Sequence, residues 1–168
     1  MKGVMAAMAV VIQLLVGGPA GACTIPQPKG AVVLTVDGMI NNCNDGLEVG
    51  FDRAMVEALP QHEVKTENPW DHGLGSYQGV LLRDLLNYVK ADGKTLSFIA
   101  LNDYRADMPL ADAMKYDVIL AYRRNGSDLS VRDKGPFFVV FPFTDVPELD
   151  TEARYAQSVW QVNRITVK

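Results

Sequence analysis

The chain has 168 residues, a formal net charge of −4, 48% hydrophobic residues and 21% charged residues. That length accommodates one domain with a sizeable core, and the composition excludes an intrinsically disordered chain. The negative balance gives no electrostatic basis for nucleic acid or an anionic membrane as partner, and no repeat or low-complexity tract is present.

Residues 1–22 are expected to be a secretory signal, with residues 23–168 forming a single domain. Lys2 is the only charge in the first segment. Val4–Val16 is apolar apart from Gln13, and "GGPAGA" ends in the small residues Ala20 and Ala22, the layout of an A-x-A cleavage site. The apolar run is short for a membrane span and is broken by Gly17, Gly18 and Pro19. Retention as an anchor is the alternative. Without Lys2 the chain carries 15 bases against 20 acids. Export to the periplasm places Cys23 and Cys43 in an oxidising compartment, where a disulfide is the leading expectation. Lipidation of Cys23 is the alternative, although Ala20 stands where a lipid-attachment motif prefers leucine. Neither CxxC nor HxxxH spacing occurs, so no metal site is expected.

Ala31–Gly38 reads as a first strand ending in a turn. Phe51–Leu59 reads as a short helix stopped by Pro60, and His62–Glu67 as an alternating strand. Asn68–Gly79 reads as a loop from its Gly, Pro and Asn content. From Val80, a helix carries the stripe Leu81, Leu82, Leu85, Leu86 and Val89 and stops at Gly93. "TLSFIAL" is a strand, "NDYRADMP" a loop and "DVILAYR" a strand, followed by the turn "RNGSD". "FFVVFPF" reads as a buried strand, "ELDTEARYAQ" as a short helix or ordered loop, and Val159–Val167 as the closing strand. Strands dominate and helices interleave irregularly. This predicts an α+β domain with a mixed sheet or partial barrel and a few short helices, and argues against a doubly wound nucleotide fold. "GLGSYQG" does not follow a strand with dinucleotide-binding spacing, and no GxSxG elbow occurs.

Polar and aromatic residues collect in three loops: Trp70, Asp71 and His72; Asn102, Asp103, Tyr104, Arg105 and Asp107; and Arg132, Asp133 and Lys134. Each adjoins a predicted strand, so all three can lie at one rim of the sheet, where binding groups concentrate. Each residue also has a structural role open to it. Trp70 after Pro69 can plug a core, Asn102 and Asp103 can cap a turn, and Tyr104 can bury its ring. His72 can be an ordinary surface residue, and Arg132, Asp133 and Lys134 a solvated ion-pair cluster.

The order of segments is similar to the molybdopterin-binding domain of the sulfite oxidase type. Tyr77–Gly79 takes the place of that family's W-x-G step. Asp103 and Pro109 match its aspartate–tyrosine loop and Pro step. Asp117–Ala121, Asn125–Gly126, Gly135–Pro136, and Val159–Trp160 with Ile165 follow in order, over roughly Val64–Val167. The family's enzymes hold molybdenum through one cysteine ahead of the W-x-G step. Here that region reads "HEVKTENPWDHG", with Thr66 and Glu67 about where the cysteine is expected, and threonine does not replace a soft thiolate. The resemblance therefore implies a retained pterin pocket without molybdenum. In this form the chain resembles small periplasmic pterin-binding proteins that signal to a membrane enzyme of cyclic di-GMP metabolism, and the resemblance implies as partner the periplasmic domain of such an enzyme or a sensor kinase. A molybdopterin-dependent oxidoreductase is the runner-up, and an envelope scaffold that binds nothing is a third reading.

A pterin is a flat ring with an aminopyrimidinone edge. On this reading Asp103 or Asp133 accepts from that edge, Arg132 or Lys134 bonds its carbonyl, and Trp70 or Tyr104 stacks on its face. His72 and Asn102 complete the expected ligand-binding set. If the ligand carries a phosphate, Arg132 and Lys134 meet it instead.

Overall fold

Hydrophobic residues alternate along most strands, and this alternation sorts the chain into two sheets with a shared interior. The structure, a computed structural model, describes residues 23–168. The expected signal segment and its cleavage site lie outside the described residues.

The first sheet has the order β2-β1-β10-β5-β6. It is built from β1 (Val32–Gly38), β2 (Glu48–Asp52), β5 (Thr95–Ala100), β6 (Arg105–Pro109) and β10 (Val162–Val167). β1 and β10 run parallel, with Thr35 opposite Arg164. The other pairings are antiparallel. The second sheet has the order β3-β4-β7-β8, with β9 also paired to β7. Its strands are β3 (Gln61–Thr66), β4 (Gly75–Leu81), β7 (Ile119–Arg124), β8 (Ser127–Asp128) and β9 (Phe138–Val140). Four short helices complete the described fold: α1 (Arg53–Glu57), α2 (Leu82–Tyr88), α3 (Leu110–Lys115) and α4 (Glu152–Gln157). The α+β class with mixed pairing and few short helices is as expected, and neither strand order closes into a barrel.

The apolar run at Phe137–Phe141 is buried on both faces. Phe137, Val139 and Phe141 join the main core with Leu120 and Tyr122. Phe138 and Val140 face the other way and join Val64, Tyr77, Leu81, Ile119 and Ala121. The register explains the division, since Leu120 pairs with Val139 and Ala121 with Phe138. The second cluster needs a cover, and Trp70 and Leu129 pack against it.

Several boundaries differ from the sequence reading. Residues 75–81 form β4 and not a loop. Gly79 is required there by approach, because a side chain would collide with the Leu120 carbonyl of β7. The predicted helix from Val80 starts at Leu82, because Val80 and Leu81 still pair with β7. The expected loop over residues 102–109 is the turn and second strand of a β5–β6 hairpin, with Asp103 left-handed at φ 63°. Its charged residues alternate with Ala106 and Met108 on an edge strand, so polarity alone concealed it. β2 and α3 were not anticipated. The helix predicted from Phe51 starts at Arg53, where the Asp52 carboxylate caps the Met55 amide. The last strand begins at Val162 and not Val159, because Gln161 is left-handed at φ 57°.

Cys23 and Cys43 form a disulfide. The segment it anchors is also held by side-chain amides. Asn42 Oδ1 accepts from the Thr24 amide at 3.1 Å, and Asn44 Nδ2 donates to the Pro26 carbonyl at 3.0 Å.

Candidate functional site: an aromatic cleft beside a charged one

The loop between β3 and β4 is organised by one asparagine. Asn68 Oδ1 accepts from the Trp70 amide at 3.0 Å, and Asn68 Nδ2 donates to the Tyr77 hydroxyl at 2.6 Å. This folds Trp70 down onto the outer face of the second sheet. Its ring meets Phe138, Tyr155 and Trp160 edge-on, at centroid distances of 6.1, 5.7 and 5.6 Å. Tyr155 comes from α4. Trp160 comes from the crossover before β10, where the Gln161 amide donates to the Lys134 carbonyl at 2.9 Å.

These rings wall a cleft of about 280 Å³, lined by Trp70, Asn102, Tyr104, Tyr155, Ala156, Ser158, Val159 and Trp160. No charged side chain lines it. Tyr104 closes one side by donating its hydroxyl to the Ala156 carbonyl at 3.1 Å. Tyr104 and Trp160 nevertheless remain 48% and 37% exposed, so aromatic surface faces solvent. The volume suits a single small ring system.

The other side of the Trp70–Trp160 pair has the opposite character. Asp71, Arg124, Asp128, Arg132, Asp133 and Lys134 line a second cleft of about 300 Å³, with Tyr77 and Phe138 at its base. Asp71 organises it. Its carboxylate accepts from Lys134 Nζ at 2.7 Å, from the Tyr77 hydroxyl at 2.6 Å and from Asn68 Nδ2 at 3.3 Å. Arg124 lies 3.6 Å away. Burial works to raise the Asp71 pKa, but the bonds from Lys134, Tyr77 and Asn68 and the Lys134 charge outweigh it. The carboxyl is held below the usual aspartate range. Burial, reinforced by Asp71, pushes the Tyr77 hydroxyl up to about 12, so it stays protonated as a donor. Arg132, Lys134, Trp70, Trp160 and Gln161 line a recess that joins the two sides.

The structure therefore brings Trp70, Asn102 and Tyr104 into the aromatic cleft and Arg132, Asp133 and Lys134 into the charged one. Asp133 accepts from Ser130 Oγ at 2.7 Å, within its own turn. Asp103 lines neither cleft; it sits at the tip of the β5–β6 hairpin, and its amide donates to Ala100. His72 is exposed and lines neither. Sequence reading did not assign Asp71, Tyr77, Arg124, Tyr155 or Trp160 to the site. Asp71 stood in a flagged loop. The others lie in strands, a short helix and a crossover, where pattern gives no sign of which cavity a side chain enters.

The family's cysteine is expected near Thr66, at the end of β3. Thr66 is fully buried. Its hydroxyl donates to the Glu67 carbonyl at 3.0 Å and accepts from the Thr144 amide at 3.2 Å.

The family model for the oxidoreductase molybdopterin binding domain matches residues 49–144, more than half of the chain. The chain belongs to this family. Among solved structures it is similar to the sulfane dehydrogenase SoxCD from Paracoccus pantotrophus, with a TM-score of 0.60 and 19% identity. The match covers 80% of this chain and 37% of that one, so this chain spans well under half of its structural relative. At that identity the likeness is one of fold. No curated protein matches the chain.

The family implies a molybdopterin cofactor, and the residues present fit only part of it. A flat heterocycle suits the aromatic cleft. A thiolate-bound metal does not suit position 66: both cysteines are joined to each other, and the Thr66 hydroxyl is occupied by backbone partners. Among the described residues no cluster of His, Cys, Asp and Glu could hold a metal.

Proposed function

We propose that this chain is an exported protein that binds a pterin in the Trp70–Trp160 cleft. We further propose that it relays occupancy to a periplasmic domain of a membrane signalling enzyme, of the kind that makes or breaks cyclic di-GMP. The observation that carries the first part is the uncharged aromatic cleft of ring-sized volume in a molybdopterin-binding fold whose metal-ligand position is a buried threonine. Half-exposed Tyr104 and Trp160 at the mouth favour a binding role over an inert scaffold, since solvent-facing aromatic surface has a cost that ligand burial removes. The signalling half and the periplasmic location rest on the expected signal segment and on the resemblance to small pterin-binding proteins. Family membership favours the second reading, an oxidoreductase carrying molybdopterin in the same place.

Two measurements test this. Titration of the purified chain with a tetrahydropterin should quench tryptophan emission and give heat of binding. A Kd weaker than about 1 mM, or about −4 kcal/mol, would end the ligand assignment. Elemental analysis of protein isolated from the periplasm should show no stoichiometric molybdenum, and stoichiometric metal would establish the oxidoreductase reading instead.

A further inference from the structure

The aromatic cleft offers its ligand an unusual polar inventory. None of the eight residues lining it is charged. The carboxylates of the neighbourhood are engaged or turned elsewhere. Asp71 is saturated by Lys134, Tyr77 and Asn68, Asp133 bonds Ser130, and Asp103 lies outside the lining. The three side-chain hydroxyls of the lining are also committed as donors: Tyr104 donates to the Ala156 carbonyl and Ser158 to the Arg154 carbonyl. Tyr155 donates to Asp150.

The indole N–H groups of Trp70 and Trp160 and the Asn102 side-chain amide are the donors of the lining that remain without a protein partner among the described residues, and of these Asn102 has its orientation set by a neighbour. Its Oδ1 accepts from the Tyr104 amide at 3.1 Å, which fixes the orientation of the side-chain amide. The Nδ2 group is then a donor with no protein partner among the described residues, on an exposed residue that lines the open cleft. A fixed donor in an uncharged, aromatic cleft matches a carbonyl oxygen on a flat ring.

We infer that Asn102 Nδ2 bonds a ring carbonyl of the ligand, and that the cleft therefore selects neutral oxo-heterocycles without reading the exocyclic amine. This rests on the pterin-class reading above and narrows it. A carboxylate clamp would accept from the ring N–H and the amine together and would reject a ring lacking that amine. Sites built to pair a polar group reject the analogue lacking it by about 10⁴-fold or more, whereas a mainly apolar site discriminates by about 10²-fold at most.

The test compares pterin with lumazine, the same bicycle bearing a second carbonyl in place of the amine, in calorimetric titrations of the full chain. The wild type should bind the two within about threefold, because neither substituent meets a charged partner. Asn102→Ala should weaken both by about tenfold, the loss of one hydrogen bond. Asn102→Asp keeps an oxygen to cap the Tyr104 amide but replaces the donor with an acceptor. It should weaken both rings by about tenfold or more without creating a preference, because a carboxylate repels the shared ring carbonyl that the amide donor bonds. Thermal melts of both variants check that the hairpin is intact. A wild-type preference for pterin above about a hundredfold would overturn the inference while leaving pterin binding in place. So would an Asn102→Ala variant that folds and binds both rings normally. If neither ring binds the wild type, the pterin reading itself fails.

Discussion

Lys134 Nζ lies 2.7 Å from Asp71 Oδ1, joining two loops 63 residues apart in sequence. Asp71 follows Trp70 in the chain, and Lys134 Nζ is 5.8 Å from the Trp160 ring centroid. Lys134 is left-handed at φ 74°, a conformation that non-glycine residues seldom adopt. An arginine–acid–lysine run at the entrance to an apolar strand is thus partly a latch. The lysine reaches back to an acid in another loop, the middle acid closes its own turn, and the arginine faces the recess.

Breaking the latch should therefore cost stability. The Asp71 side chain is 7% exposed and that of Lys134 22%. Removing Asp71 leaves a partly buried cation, beside Arg124, without its counter-charge. Asp71→Ala should destabilise by about 2–3 kcal/mol, and Lys134→Ala by about 1–2 kcal/mol, in denaturant titrations. Equal, negligible effects would reduce the pair to a surface contact.

The same acid sets an acid-side pH dependence. The Asp71 pKa is lowered in the folded chain, because donors from Lys134, Tyr77 and Asn68 outweigh burial. A depressed folded pKa contributes stability that is fully present above the unfolded value, about 3.9, and is lost as pH falls through the folded value. Melting temperature measured from pH 6 downward should fall in the acid range, by an amount that shrinks in Asp71→Asn. An unchanged slope in that variant would place the titration elsewhere.

Trp70 and Trp160 should separate by readout. Trp70 is packed by three rings and covers the second core, so Trp70→Ala should cost about 3 kcal/mol of stability as well as ligand affinity. Trp160 is 37% exposed, so Trp160→Ala should cost about 1 kcal/mol of stability yet weaken tetrahydropterin binding by about 1–3 kcal/mol. Melts and titrations on the same samples check both.

Gly79→Ala should be more damaging than its size suggests. The added carbon meets the backbone of Leu120 and Ala121, which cannot swing away as a side chain would. We expect a loss of about 3 kcal/mol or outright failure to fold, read from soluble yield and circular dichroism.

The disulfide should be separable from the site. Cys23 and Cys43 close a sequence separation of 20 residues, so replacing both with alanine should lower stability by about 3 kcal/mol. Neither cysteine lines the aromatic cleft, so affinity for a tetrahydropterin should be unchanged. Mass spectrometry without reductant checks the bond directly.

The sequence by itself was sufficient for the class of fold and the family. β1, β3, β5 and the buried apolar run could be read from alternation and hydrophobicity, because those patterns follow from local backbone geometry. Family-like segments survived in order because they mark turns and strand ends that the fold requires. Only the tertiary structure decided which of the flagged residues share a cavity. By pattern Arg124 belongs to a turn and Trp160 to the closing strand; the structure puts them at the end of β7 and in the crossover before β10, and their entry into the site depends on the pairing of β7 with β4 and on left-handed Gln161. Asp103 and Asp71 look alike as loop aspartates in sequence. One sits exposed at a hairpin tip with only its backbone amide bonded, and the other has its carboxylate nearly enclosed and held by three donors. The difference is a matter of long-range contacts, and sequence periodicity carries no record of those.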